Sequence, residues 1–270
     1  MKRIIALLIL AFVVAGCGRP ASEAEPAASE PAPAAAVVEA DVSIYAAAVA
    51  SETRPEADRA SDAGRNPEAV LELFGIQPGD VVLEMWAGGG YYTEMLAHVV
   101  GESGKVVAHA NTPILSFAGD AHTERHADNR LPNAEILLAE NNELALEADS
   151  FDAATIILNY HDLYWSSEQY GWVQIDVPAF LAELYKGIKP GGTLGIVDHQ
   201  AASGSPAETG NTLHRIDSAI VIAELEGVGF VLEGESNVLA SAEDDHTKSV
   251  FDPEIRGKTD RYVLRFRKPK

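Results

Sequence analysis

The sequence predicts an α/β domain built on a doubly wound sheet that ends in an antiparallel pair of strands. Short runs that are apolar on both faces alternate with helical segments, as buried parallel strands and their crossovers require. Val81 to Thr93, reading VVLEMWAGGGYYT, passes from such a run through an acidic residue into three consecutive glycines that open a helix. The final two strand-like runs have no good helix between them.

Alanine-rich Ser43 to Ala50 suits a helix, and Asn66-Pro67-Glu68 starts a second one through Phe74, with Asn at the cap and Pro in the first turn. Gly75 to Asp80 turn into the first strand, Val81 to Glu84. Further strands are expected at Lys105 to His109, Glu135 to Ala139, Ala153 to Asn159 and Thr193 to Asp198. Helices are expected at Tyr92 to Val100, Leu115 to Asn129, Val177 to Gly187 and Ile216 to Gly227. Phe230 to Ser236 and Arg261 to Arg267 form the antiparallel pair. Between them Ala240 to Lys258, with charges, Pro253 and Gly257, reads as a long loop of the kind that often carries function.

The domain follows a different kind of sequence. Residues 1–16 have two basic residues, an apolar run from Ile4 to Ala15 and small residues at Ala15 and Gly16, which reads as a secretory signal. The run is shorter than the roughly 20 residues a spanning helix needs. Val14-Ala15-Gly16-Cys17 resembles the bacterial lipoprotein lipobox, and that resemblance implies a lipidated Cys17 as the mature N-terminus. Residues 17–40, rich in Ala, Pro and Glu and free of aromatics, read as an extended tether, and the folded domain spans residues 41–270. The expected location is the cell envelope, facing the periplasm. Gly18 rather than Asp after the lipidated position favours the outer membrane if the organism is Gram-negative.

Cys17 is the only cysteine, so the domain has no internal disulfide and depends on its core. The net charge is −21, and loss of Lys2 and Arg3 with the signal makes it −23. Such acidity excludes a nucleic-acid partner, because the one dense basic cluster is the terminal RFRKPK. It also leaves the acyl chains as the only membrane contact.

Glycines are needed where a strand reverses abruptly into a helix and a ligand approaches the backbone, since a Cβ would collide with it. Gly88 and Gly90 match the second and third glycines of the E/D-x-G-x-G-x-G turn rather than the GxGxxG spacing of dinucleotide sites. The chain therefore resembles class I S-adenosylmethionine-dependent methyltransferases over most of Asn66 to Lys270, through IQPGDVVLEMWAGGGYYT, GKVVAHANTP, SFDAATIILNYHD and YKGIKPGGTLGIVDH. It is most similar to a subgroup of predicted methyltransferases with export signals, which share WAGGGYYTE, NYHD, IVDH, LHRID and RGKTDRYVLRFRKP. The resemblance implies a Rossmann-like seven-stranded sheet, mostly parallel with a reversed last strand.

It also implies S-adenosylmethionine as cofactor, held by Glu84, Trp86, Ala87, Gly88, Gly89, Gly90 and Asn159, with Asn111 at the ribose, Glu140 and Asn141 at the adenine, and Asn159 to Asp162 where the methyl group is delivered. Two positions depart from the family: Trp86 replaces the first glycine, and Ala110 stands where a ribose-binding carboxylate is usual, with Asn111 as a neutral acceptor. Either the turn is displaced or the indole walls the ligand.

His161 is the candidate base, with Asp162 beside it to orient the imidazole or hold a cation, and Asp198-His199 should lie nearby at the carboxyl edge of the sheet. Packing a loop across the sheet edge explains the same residues. His161, Asp162, Asp198, His199 and His214 could also converge on a metal, though their spacing is not diagnostic and no metal is assigned. Arg215 could hold an anionic substrate or form a local helix-start ion pair, Asp58, Arg59 and Asp62 could cover the pocket, and Tyr91 and Tyr92 pack the first helix. Three functions stay open: a lipid-anchored methyltransferase for a small molecule or envelope component, a non-catalytic binding lipoprotein on the same fold, and a nicotinamide-dependent oxidoreductase. The second gains weight from the cytosolic origin of S-adenosylmethionine.

Overall fold

A computed structural model describes residues 42–270; the signal segment, Cys17 and the tether lie outside the described residues. In chain order the elements are α1 (Ile44–Val49), α2 (Glu56–Arg59), α3 (Asp62–Arg65), α4 (Pro67–Phe74), β1 (Val81–Met85), α5 (Tyr91–Val100) and β2 (Lys105–Ala110). There follow α6 (Thr112–Ala118), α7 (Asp120–His126), β3 (Ala134–Leu138), β4 (Phe151–Ile157), α8 (Val177–Gly187), β5 (Ile188–His199), α9 (Thr209–Leu213), α10 (Ser218–Gly227), β6 (Val231–Ser236) and β7 (Arg261–Arg267). The strands form one sheet in the order β3-β2-β1-β4-β5-β7-β6. β7 runs antiparallel to both β5 and β6, while β1 to β5 are parallel. The doubly wound, mostly parallel sheet with a reversed last strand is thus present.

Side chains alternate across each strand and so feed two cores. Leu83, Val107, Ala154, Ile196 and Leu264 point to one face, against α8 and α10, and Val82, Val106, Ala153, Val197 and Val263 to the other, against α4 and α5. Gly195 makes the second face possible, because a Cβ there would lie 2.5 Å from the Phe74 ring. Among the described residues no helix is long and apolar enough to cross a membrane.

Four local expectations need correction. Asn66 makes no side-chain cap bond; it precedes Pro67 in the left-handed region, at φ 39°, where Asn is among the better-tolerated residues. The helix expected from Leu115 to Asn129 is broken at Gly119, with φ 54° and ψ −136°, into α6, α7 and a short 3-10 turn. β3 is not apolar on both faces in burial: it is the sheet edge, and Leu138 is 63% exposed. β5 begins at Ile188 rather than Thr193, because Ile188 pairs with Phe151 across a register shift that Pro190 and Gly191 disguise as a turn.

Candidate functional site

The carboxyl ends of β1, β2, β4 and β5 carry two separate groups of polar residues. The first surrounds the glycine turn. Glu84, at the end of β1, is buried and accepts a hydrogen bond from the Thr93 hydroxyl at 2.5 Å. Gly88 takes φ 59°, and a Cβ there would meet nothing nearer than the Trp86 carbonyl oxygen at 3.9 Å, so the space over the turn is open. Gly89 and Gly90 are closed by α7, since a Cβ on them would meet Ala121 at 3.3 Å and Arg125 at 2.7 Å. Arg125 Nε donates to the Gly89 carbonyl, and its other nitrogens pair with Glu94 and Asp58.

Trp86 itself lies within the core. Its backbone adopts φ 50°, and its indole is buried, stacked on Phe180 at 5.1 Å and 7° and tilted against Trp172. The indole Nε1 donates to Asn141 Oδ1 at 2.9 Å, and Asn111 Nδ2 donates to the same oxygen at 2.9 Å. Asn111 also caps α6 through the Ile114 amide, and Glu140 accepts from the Thr112 amide and hydroxyl. Asn111 and Asn141, expected at the ribose and the adenine, are therefore bonded to one another and, through Asn141, to Trp86, while Glu140 is bonded to Thr112.

The second group lines a cavity of about 1160 Å³. Asn159, His161, Asp162 and His199 all face it, joined by His214, by Arg256 and Gly257 of the long loop and by Thr259 just beyond it. The segment before β1 covers it through Ala60, Ser61, Gly64 and Arg65, whereas Asp58 and Asp62 are taken by Arg125 and Arg54. None of residues 86–90, Asn111, Glu140 or Asn141 lines this cavity. Leu158, also in the wall, holds φ 61°, an uncommon conformation for a bulky residue and of the kind that clusters at functional sites.

Asp198, fully buried at the end of β5, organises the polar floor. It accepts from His161 Nδ1 at 2.7 Å, from the His161 amide at 2.8 Å and from the His199 amide at 2.6 Å. Asn159 Nδ2 donates to Asp162 Oδ2 at 3.0 Å, and His199 Nδ1 meets the Thr259 hydroxyl at 2.7 Å. Burial works against a charged His161, but the Asp162 and Asp198 carboxylates outweigh it and lift its pKa to about 9. His161, expected as a base, thus carries its proton at neutral pH. His199 is driven well below the ordinary histidine value by burial and by the neighbouring His161 cation, so it is the neutral imidazole of the pair.

Burial pushes the Glu84 carboxyl up to about 8, against the lowering effect of Thr93 and Arg125. Between the unfolded value near 4.5 and about 8 the folded state keeps a proton that the unfolded chain has released, so stability falls as pH rises through that window. The expected slope is about 1.4 kcal/mol per pH unit, and Glu84→Gln should flatten it. Denaturant unfolding at pH 5 to 8 checks this; equal slopes in both proteins would contradict it.

Several residues were not legible as site residues. Phe117, Trp165, Tyr170, Trp172 and Phe251 form an aromatic wall around the cavity, with Phe117 and Tyr170 in edge contact at 5.2 Å. Their separation along the chain hides this grouping, although single aromatics in loops were visible. Arg215 lies outside the cavity lining and makes no local pair: it is fully buried, holding Asp244 at 2.9 Å and the carbonyls of Lys248 and Gln200. Tyr92 packs the core as expected, while Tyr91 donates to Asp62.

Comparison with known proteins accords with this architecture. The family model of protein-L-isoaspartate (D-aspartate) O-methyltransferase matches residues 58–140. The chain is 30% identical over 133 residues to the ubiquinone/menaquinone biosynthesis C-methyltransferase UbiE of Hydrogenovibrio crunogenus, covering 47% of this chain and 45% of that protein. It is 31% identical over 127 residues to the 2-phytyl-1,4-naphtoquinone methyltransferase of Synechococcus elongatus, covering 45% and 47%. The chain thus spans about half the length of the curated relatives it matches. A solved S-adenosylmethionine-dependent methyltransferase from Aquifex aeolicus shares the fold at TM-score 0.56 and 24% identity, over 79% of this chain and 95% of that one.

The chain has the fold of a solved S-adenosylmethionine-dependent methyltransferase, and part of its length is similar in sequence to methyltransferases. S-adenosylmethionine is the cofactor that similarity implies, and the open space over Gly88, beside Glu84, fits it. In this structure the Trp86 indole occupies Asn141 Oδ1, the residue the resemblance places at the adenine.

Proposed function

We propose that this protein is a methyltransferase for an apolar, aromatic small molecule of the quinol or phenol class, acting in the cell envelope. The juxtaposition at the sheet's carboxyl edge carries the reading: the glycine turn of a methyltransferase lies on the same edge as an aromatic-walled cavity with a histidine-carboxylate floor. The quinone-methylating relatives support the acceptor class. The lipobox-like Val14 to Cys17 supports tethering through a lipidated Cys17, which Cys17→Ser would abolish in a lipid-labelling experiment.

Glu84, Gly88 and, once the indole moves, Asn111, Glu140 and Asn141 would hold the cofactor, which supplies an electrophilic methyl group when bound. The chain's own part is alignment. Phe117, Trp165 and Tyr170 clamp a planar acceptor and exclude water, and Asn159 fixes Asp162. His199, steadied by Thr259, takes the proton that an acceptor hydroxyl releases. His161, steadied by Asp198, donates to the acceptor oxygen.

Incubation with labelled S-adenosylmethionine and a panel of quinols and phenols tests this. Transfer to at least one acceptor is expected, falling about 10²–10⁴-fold in His199→Gln. Cofactor binding with no transfer to any acceptor would instead favour a binding protein on a methyltransferase fold.

A further inference from the structure

We propose that His161, Asp162 and His214 form a site for one divalent transition-metal ion in the wall of the cavity, with a coordination position left open to the cavity's occupant. The site shares its cavity with the methyltransferase reading but does not depend on methyl transfer.

The three donors converge. His161 Nε2 lies 3.4 Å and His214 Nδ1 3.5 Å from the same Asp162 oxygen, Oδ1, and one ligand atom from each residue falls within 4.8 Å of the others. A tetrahedral ion about 2.0–2.1 Å from each donor separates neighbouring donors by roughly 3.3–3.5 Å. Both N···O separations match that spacing, and the third pair, between the two nitrogens, falls within 4.8 Å.

Each donor atom is also aimed by a second contact on its far side. His161 gives its Nδ1 to Asp198 at 2.7 Å, leaving Nε2 for the site, where an arriving ion displaces the Nε2 proton and takes over the contact with the acceptor oxygen, and Asp198 is itself pinned by two backbone amides. This is the carboxylate-histidine arrangement that fixes tautomer and ring orientation around bound metals. Asn159 occupies Asp162 Oδ2 at 3.0 Å, so Oδ1 is the oxygen turned to both imidazoles. The His214 ring is wedged between Trp165 at 5.5 Å and Phe251 at 4.8 Å, on a backbone held at φ 54°. Left-handed backbone at a non-glycine residue is costly and persists where its surroundings impose it.

Two imidazoles and one carboxylate suit zinc or ferrous iron, and three protein donors with an open position are the pattern of a reactive site rather than a structural one. Calcium and magnesium prefer all-oxygen surroundings that this group does not offer. Asp162 and Asp198 bring two carboxylates to the site, enough to balance a divalent cation. A hydroxyl-bearing acceptor in the cavity could take the open position, where the ion would favour its deprotonated form.

The test uses untagged full-length protein stripped with chelator and titrated with Zn²⁺ and with Co²⁺. One equivalent of each should bind, Co²⁺ should develop the visible absorption of a four- or five-coordinate nitrogen-oxygen site, and Zn²⁺ should displace it. His214→Ala and Asp162→Ala should each weaken binding at least 100-fold, and Asp198→Asn about 10–100-fold. Absence of stoichiometric binding by the folded wild type, or undiminished binding in both Ala variants, overturns the proposal. Should those variants fail to fold, the wild-type X-ray absorption spectrum decides: a first shell with two imidazoles supports the site, and a shell without imidazole overturns it. S-adenosylmethionine titrated into the same wild-type protein reports on the methyltransferase reading separately.

Discussion

Arg215→Ala is expected to lower the unfolding free energy by about 3–5 kcal/mol, because truncation leaves Asp244 as a buried carboxylate without its counter-charge. The guanidinium is fully buried and holds three partners at once: Asp244, the Lys248 carbonyl and the Gln200 carbonyl. These ties fasten the long loop to the end of β5. The loop also supplies Phe251, Arg256 and Gly257 to the cavity, so the loss should reach the site as well as the stability. In a domain of this size the melting temperature should fall by roughly 10 °C. Calorimetry checks the value, and a change under about 1 kcal/mol, the scale of an exposed ion pair, would contradict the strut assignment.

Trp86→Gly should move stability and cofactor affinity in opposite directions. Removing the indole deletes its stack on Phe180 and its bond to Asn141, at a cost of about 3–5 kcal/mol. A glycine at φ 50° recovers part of that through relief of backbone strain. The same change removes one of the two donors on the Asn141 oxygen, leaving only Asn111. S-adenosylmethionine affinity should therefore rise about tenfold or more, equivalent to about 1.4 kcal/mol. Equal affinity in a less stable protein would mean that the indole does not obstruct the ligand.

The framework of the fold was legible because buried parallel strands leave an unmistakable pattern: Val81 to Glu84 and Thr193 to Asp198 are apolar on both faces, and each lies within an observed strand. Where the signal depends on partners, it weakened. β3 reads like its neighbours but lies at an edge, and the start of β5 is concealed by Pro190, Gly191 and Gly192.

The site divides in the same way. That His161, Asp162 and His199 share one cavity follows from their places at the ends of parallel strands, where such sheets put their ligands. The direction of the Trp86 indole does not follow, since it depends on Phe180 and Asn141, 94 and 55 positions away along the chain. His214 meets Asp162 only because α9 returns the chain to the cavity, and Arg215 finds Asp244 across 29 positions. Sequence spacing carries no record of either meeting.

The most direct test of the central claim is calorimetric titration of the purified protein with S-adenosylmethionine and S-adenosylhomocysteine, beside Gly88→Val. The variant is a fair control: a Cβ at Gly88 meets no atom nearer than 3.9 Å, although the positive φ of 59° costs about 1–3 kcal/mol for a branched residue. Micromolar binding by the wild type, lost in the folded variant, is the predicted result. No binding by the wild type up to millimolar ligand would contradict a working cofactor site and leave the methyltransferase likeness as one of fold alone.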